Sequence, residues 1–513
     1  MKETNLKLQR QLFLLPAEER KSNNTVYCLL IKAGLSACLF LCPIVSGFGQ
    51  EWTFDENTQK AYDLVLNLQI EEAQQLIPQP KTNHEHYVAA LGEALELLIT
   101  EDGEKFTLYE DRFEKRLDKK TKVTSADDLF LQAEIGLQWA FVHLKFGHEF
   151  DAALNLRQAY QTTQEIKKRF PEYTAIHKTS GLLDVIIGSV PEKYDWVLGL
   201  LNMEGSVEIG LHELESIRSS DHTLEFESDL LYALTLGFVL QQTDQAMTEI
   251  EKVRKEYPQN RLALFIGSAL AIKGARSEEA LSMLQTLAQQ QSGIPLYYAD
   301  YLKGEVYLHK ADYQNAISSY RWFINHYQGQ NYIKDANYKI GVCYWLNGNA
   351  NDAEHVFKQA KTIGKEVTEA DKYAARSMAD DEMPHVKLTK VRYFMDGGYY
   401  ADASKLLQSI TSADLPTKRD QVEFEYRKAR LAHKTGNLIA KELYQRTIRL
   451  SGEEPWYFAP NACLQLGYIY MDENDFIQAQ FYFKRALEYK KHEYKNSIDS
   501  KAKSAIAQLN KRK

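Results

Sequence analysis

The sequence predicts an all-α fold, a solenoid in which antiparallel helix pairs stack into a superhelix. Three observations carry that expectation. Gly304, Tyr307, Ala316, Tyr320 and Phe323 are spaced by three, nine, four and three residues, and Gly341, Tyr344, Ala353, Phe357 and Ala360 repeat the spacing, as do Gly467, Tyr470, Ala479, Phe483 and Ala486. The alternation of small and aromatic residues at these steps is what two touching helices require, because glycine or alanine lets the axes close and the rings fill the gap. The composition agrees: 31 Tyr and 22 Phe against 12 Pro suit helix pairs wedged by aromatic rings, and 44% hydrophobic with 26% charged residues excludes wholesale disorder.

This order of residues resembles the tetratricopeptide (TPR) signature. Such a unit cannot bury its apolar face alone, so neighbours stack, and an elongated right-handed superhelix whose work is binding is expected. A chain of 513 residues would ordinarily hold several domains. A repeat array escapes that count, because each unit leans only on its neighbours.

Residues 1–49 read as a signal peptide. Lys21 and Lys32 precede an apolar run from Ala33 to Val45, and Ser46-Gly47-Phe48-Gly49 supplies small residues for a cut after Gly49. Leu35-Ser36-Ala37-Cys38 also matches a lipoprotein box, and an uncleaved anchor from Val26 to Val45 is a further option. Under each reading the remainder is exported, periplasmic or secreted, and membrane association runs through the N-terminal segment only. Cys28, Cys38 and Cys42 lie in this segment, which leaves Cys343 and Cys463 as two small side chains expected in the core.

Residues 50–222 form a degenerate TPR-like region. Leu64, Ala73 and Ile77 keep the nine and four steps. Helices follow at Glu85 to Thr100, Phe106 to Leu117, Leu129 to Lys145 and Ala152 to Arg169, the last stopped by Phe170-Pro171. His177 to Ile217 reads as two buried helices meeting at Val190-Pro191. A membrane-dipping hairpin is the sharper alternative, opposed by Asp184, Glu192, Lys193 and Asp195. Residues 223–364 hold regular repeats, with Ala246, Ile250 and Val253, then Ala280, Leu284 and Leu287, before the two central copies. Residues 365–386 are an irregular charged linker. Residues 387–488 resume the repeats through Phe394, Ala403, Leu407 and Ile410, then Leu431, Ala440, Tyr444 and Thr447. Residues 489–513 are a basic C-terminal helix suited to capping the stack.

The order of Tyr173 to Ile217 with its Pro191-centred hairpin, then Arg254-Lys255-Glu256-Tyr257-Pro258, Leu264-Phe265 and Ile272-Lys273-Gly274 before Glu279-Ala280, resembles the inclusion body clearance family. Its animal members are called tetratricopeptide repeat protein 39. The resemblance covers Ala61 to Ala360. It implies an all-helical TPR-like array with a binding role and no catalysis, and it transfers no ligand. The export signal departs from that family's intracellular setting.

No phosphate loop, His-Glu-x-x-His, Cys-x-x-Cys, Gly-x-Ser-x-Gly or calcium loop occurs. His84-Glu85-His86 reads as a helix start, because neighbours two apart point in different directions. His143 and His148 flank a helix end, where a cation is favoured. No catalytic residue, cofactor or metal is therefore expected. The first 49 residues carry six of the 62 Lys/Arg and three of the 70 Asp/Glu, which leaves 56 basic and 67 acidic side chains and a net charge of −11. Nucleic acid is not an expected partner.

The expected function is an exported interaction scaffold that binds a protein or peptide in its concave groove. The alternative is an outer-surface glycan-binding or ligand-binding protein on a TPR-like base, which needs long loop insertions that only Thr362 to Val386 could supply. The groove is expected on the first helices, where steps of three and four place Tyr298, Tyr301, Glu305 and His309 on one exposed face and Asp335, Tyr338 and Trp345 on the next. Such a face would be aromatic and partly acidic, and would prefer apolar or basic segments.

Overall fold

The structure, a computed structural model, describes residues 52–118, 125–190, 199, 201–219, 222–379 and 383–511. Among them lie twenty-four α-helices and no strand. The signal-peptide reading and the Pro191 turn fall outside the described residues. The helices run as α1 (Glu56–Leu66), α2 (Ile70–Leu76), α3 (Asn83–Thr100), α4 (Gly103–Asp118), α5 (Ala126–Lys145), α6 (Glu149–Arg169), α7 (Ile176–Gly188) and α8 (Val207–Arg218). Then follow α9 (Glu225–Leu234), α10 (Thr243–Glu256), α11 (Arg261–Lys273), α12 (Ser277–Ala288), α13 (Tyr297–His309), α14 (Tyr313–His326), α15 (Ile333–Leu346) and α16 (Ala350–Ala360). The last are α17 (Glu369–Ala379), α18 (Val386–Asp396), α19 (Tyr400–Gln408), α20 (Lys418–Lys434), α21 (Ala440–Ser451), α22 (Phe458–Asp472), α23 (Phe476–Glu488) and α24 (Lys495–Lys511). Consecutive helices pair, and the fold is a TPR-like α-solenoid.

One turn joins most pairs. A residue in the left-handed region sits five positions before a closely packed alanine of the second helix: Leu68 before Ala73, Gly147 before Ala152, Ala311 before Ala316, Gly348 before Ala353 and Asn474 before Ala479. The next amide reaches back to the first helix, Asp312 N to Tyr307 O, Asn349 N to Tyr344 O and Asp475 N to Tyr470 O, each at 2.9 Å. That closure satisfies carbonyls a helix end would otherwise leave orphaned. The side chains of Asp312 and Asp475 then cap α14 and α23.

The repeat glycines are contact points. A Cβ on Gly304 would lie 2.5 Å from the Tyr320 ring, one on Gly341 2.6 Å from Phe357, and one on Gly467 2.4 Å from Phe483. Gly181 and Gly210 do the same for α7 and α8, where a Cβ on Gly210 would sit 2.5 Å from the Gly181 carbonyl oxygen. The hairpin therefore crosses backbone on backbone. No described helix is long and apolar enough to cross a membrane.

The stack departs from strict nearest-neighbour contact. Leu68 O accepts from Ile294 N at 2.8 Å, Asn67 Oδ1 accepts from Arg261 N at 2.9 Å, and the Glu101 carboxylate accepts from Gln330 N at 2.9 Å. The first helices thus fold back onto the central repeats, and one apolar core runs from Trp52 to Tyr393. Within 365–386, α17 packs on α15, and Asp371, fully buried, accepts from the amides of Tyr332 and Asp335. At the C-terminus, Ile498, Ala502, Ala505 and Leu509 form a buried stripe that seats α24 on the last pair. Cys343 and Cys463 are buried free thiols.

Candidate functional site

The structure gathers the seven expected groove residues in one region but does not leave them as an open face. Tyr301, His309, Asp335 and Tyr338 are buried, while Tyr298, Glu305 and Trp345 are half-buried. Lys339, absent from the sequence reading, is the hub. Its Nζ donates to Glu305 at 2.6 Å, to Asp335 at 2.8 Å and to the Tyr301 hydroxyl at 2.9 Å, while Tyr301 donates to Asp335 at 2.7 Å. Burial disfavours the ammonium, yet Asp335 and Glu305 outweigh it and hold the Lys339 pKa above its ordinary value. Tyr298 stacks on Tyr301, centroids 5.1 Å apart. His309 meets Ser277 and Tyr393, and burial pushes its pKa down. Tyr338 lies between Phe357 and Tyr373, and Trp345 Nε1 donates to Pro384 O at 2.9 Å.

The expected exposed face is thus corrected to a closed polar core. Steps of three and four define a helix face without saying what lies on it, and here α17 and α18 do. The expected preference for basic segments loses its ground as well, since both carboxylates already hold Lys339.

The open chemistry lies one step further along the inner helices. Arg392 on α18 donates through Nη1 to the Tyr373 hydroxyl at 3.0 Å and lies over the Tyr393 ring at 4.6 Å. Among the described residues it has no carboxylate within ion-pairing distance, and Asp396 acts on it only at longer range. Arg427 on α20 is satisfied by Glu423, at 2.6 Å, and by the Tyr457 hydroxyl, at 3.1 Å. Arg430, one turn on, faces Tyr426 and Tyr444 and likewise lacks an ion-paired carboxylate among the described residues. The Tyr494 ring stands 6.1 Å from Tyr373 and 5.2 Å from Tyr457, and is 44% exposed, so the chamber meets solvent there.

Titration behaviour follows this excess of positive charge. Arg392, aided by hydrogen bonds from its own guanidinium, Ser377 and Tyr494, pulls the Tyr373 phenol down to about 8 against the opposing effect of burial. Burial and then Arg430 and Lys434 push His433 down to about 4. Lys501 of α24 is lowered by burial and by Arg430, and Lys273 of α11 by burial and by Lys501. Cations from four helices thus influence one another in series, Lys273 with Lys501, Lys501 with Arg430, and Arg430 through Arg427 with Arg392, and a positive chamber of this kind stabilises an anionic group. The sequence carried a signal in Arg427 and Arg430, which share the inner face of α20. Arg392 was read only as part of a repeat.

A separate cluster lies on the N-terminal side. Glu110 of α4, His143 of α5 and His148, the residue before α6, bring a ligand atom each to within 4.8 Å of one another. The sequence had placed the two histidines only at a helix end.

Residues 460–493, spanning α22 and α23, match the tetratricopeptide repeat family. The chain thus carries a tetratricopeptide repeat within its TPR-like α-solenoid. No curated protein matches it in sequence. Among solved structures it is similar to the human IFIT1 dimer with m7Gppp-AAAA, at 13% identity over 85% of this chain and 96% of that chain with a TM-score of 0.32. It is also similar to the apo form of RapI, at 14% identity, 71% and 97% coverage and a TM-score of 0.38. The TPR domain of P58(IPK) is similar at 15% identity, 73% and 98% coverage and a TM-score of 0.20.

Proposed function

We propose that this TPR scaffold is exported and captures a partner protein by an acidic, aromatic-bearing segment that enters the chamber lined by Arg392, Arg430, Tyr373, Tyr457 and Tyr494. One observation carries the reading: two guanidinium groups stand among tyrosine hydroxyls and rings without ion-paired carboxylates among the described residues. A part-buried cation of this kind costs free energy in the unbound protein, and a carboxylate brought by a partner offsets that cost. Tyrosine and arginine together are also the residues most often found at binding hot spots.

A short acidic segment is favoured over an extended polyanion, because the chain as a whole carries a net charge of −8 and would repel negative charge beyond the chamber. The inserted residues 365–386 contribute a helix packed on α15 rather than a loop subdomain among the described residues, which supports a scaffold over glycan capture. The resemblance to the inclusion body clearance family is, on this proposal, one of fold and not of pathway, since the N-terminal segment reads as an export signal.

The test is fluorescence anisotropy with labelled peptides of alternating Asp and Phe, matched peptides of Lys and Phe, and a single-stranded oligoribonucleotide. Wild type should bind the acidic peptide, and Arg392→Met with Arg430→Met should weaken it at least about tenfold while helicity is kept, because charge-assisted contacts of about 1.5–3 kcal/mol each are lost. Preference for the basic peptide, or equal binding by the double variant, overturns the reading. Oligoribonucleotide binding that depends on the same arginines would replace the partner class.

A further inference from the structure

We propose that Glu110, His143 and His148 form a binding site for a first-row divalent transition metal, zinc being the natural occupant, which clamps α4 to the α5–α6 hairpin. The three side chains come from three different chain segments, and their ligand atoms all lie within 4.8 Å of one another. His143 Nε2 stands 3.1 Å from the Glu110 carboxylate. The two imidazoles lie parallel, 3° apart in plane, with centroids 5.8 Å apart. Modest side-chain rotation brings two nitrogens and one oxygen onto a shared ion, and a two-imidazole, one-carboxylate set is one that zinc takes with water in the fourth position.

The surroundings fit an ion better than a simple ion pair. His143 is buried, 4% exposed, and its imidazole faces the Glu110 carboxylate. His143 Nδ1 lies 2.9 Å from the Asn155 side-chain amide on α6. With Nε2 on the metal, Nδ1 carries the proton and donates to the Asn155 amide oxygen after a flip of that amide, which is the outer contact that fixes a ligating histidine. Phe106 packs on both imidazoles, at 6.0 Å from His143 and 5.1 Å from His148, and Trp139 lies 5.2 Å from His143. This aromatic floor excludes water on one side, while exposed His148 leaves the other open for entry. The oxygen-only preference of magnesium and calcium is not met here.

The clamp also answers a local need. Helix α4 buries Phe106, Tyr109 and Phe113 in the core, and its ion pairs of Arg112 with Glu93 at 2.9 Å and Lys105 with Glu96 at 2.5 Å both run to α3. A metal bridging Glu110 to His143 and His148 would add a polar tie beside that apolar contact and raise stability by mass action.

The test uses untagged full-length protein freed of metal by chelator. Zinc titrated against a chromophoric competitor should give one site per chain, and cobalt should give the visible absorption of a four-coordinate centre. Thermal unfolding should shift upward with zinc and not with magnesium or calcium. His148→Ala, at an exposed position that leaves folding intact, should abolish the site, Glu110→Gln should weaken it, and Asn155→Ala should weaken it about ten- to a hundredfold. Helicity measured without metal guards against variants that fail to fold. Zinc bound equally by wild type, His148→Ala and Glu110→Gln would place the ion elsewhere and overturn the proposal, as would no stoichiometric binding by folded wild type.

Discussion

The N-terminal and C-terminal halves each bury cations among tyrosines, but among the described residues only the first balances them fully with carboxylates. In the N-terminal half Lys178, 2% exposed, donates to Glu134 at 2.7 Å, Glu227 at 2.6 Å and the Tyr87 hydroxyl at 2.8 Å, with Tyr62 adding a bond to Glu227 at 3.0 Å. Lys339 with Glu305, Asp335 and Tyr301 repeats that arrangement in the centre. Arg392 and Arg430 have the tyrosines without ion-paired carboxylates among the described residues. The difference separates two uses of similar chemistry. A lysine between two acids pins helices that are distant in sequence, whereas an arginine offered only to phenols keeps donors for a partner.

The sharpest way to break this comparison is to remove one cation from each half. Lys178→Met leaves Glu134 and Glu227 buried together without their counter-charge, and urea unfolding should report a loss of about 3–5 kcal/mol. Arg392→Met removes a charge with no paired carboxylate among the described residues, so stability should change by less than about 1 kcal/mol in either direction. Equal losses in both variants would mean that the chamber is as structural as the Lys178 cluster.

Next in size is a pH effect confined to the chamber. The Tyr373 phenol sits at about 8 in the folded protein because of Arg392, against about 10 for an unfolded tyrosine. Folded pKa is thus depressed, so the contribution is full above pH about 10 and is lost as pH falls through about 8. At most it amounts to about 2.7 kcal/mol, gained between those limits. Phenolate absorbance should show one tyrosine titrating near the lower limit. Tyr373→Phe should remove that step, and Arg392→Met should return it to the ordinary tyrosine range.

How much of this was legible follows from which contacts are local. Gly304 against Tyr320 and Gly467 against Phe483 were readable because both partners lie within one hairpin, at a spacing the helix geometry dictates. The closure of the expected groove was not. Tyr338 is covered by Tyr373 of α17, and Asp335 is capped through Asp371, so the burying residues come from a charged insertion that the repeat period does not describe. Arg392 illustrates the converse: a charged residue on a first helix looks like solvated surface until Tyr373, Tyr457 and Tyr494 arrive from three other segments.

Overpacking separates the closed centre from the periphery. Ala316 and Ala479 are both fully buried at the closest approach of a pair. Leucine at either should cost about 1–3 kcal/mol. Ala316→Leu should sit at the upper end, because Tyr320 beside it is tied to Glu305 of the Lys339 cluster. Ala479→Leu should sit at the lower end, since α23 carries exposed Ile477 and Phe481 on its outer side and can shift outward. Equal melting temperatures for wild type and both variants would contradict the repeat register itself.

The smallest effect concerns the turn that the two halves share. Ala311 holds φ at 61° and Gly348 at 88°, five residues before the alanines of successive second helices. A Cβ in the left-handed region costs about 1–2 kcal/mol, and the greater unfolded-state freedom of glycine takes back about 0.4–1. Ala311→Gly should therefore stabilise by about 0.5–1 kcal/mol. Gly348→Ala should destabilise by a similar amount, and for conformational reasons alone, because a Cβ there would meet nothing within 4 Å. Asn474, at φ 62° in the C-terminal pair, already tolerates that region, so Asn474→Gly should change little. Chemical denaturation of the three variants checks the signs. The same sign pattern in the central and C-terminal pairs would mean that they share one backbone device and differ only in the side chains set upon it; a gain from Asn474→Gly as large as that from Ala311→Gly would mean instead that the C-terminal turn is strained on its own account.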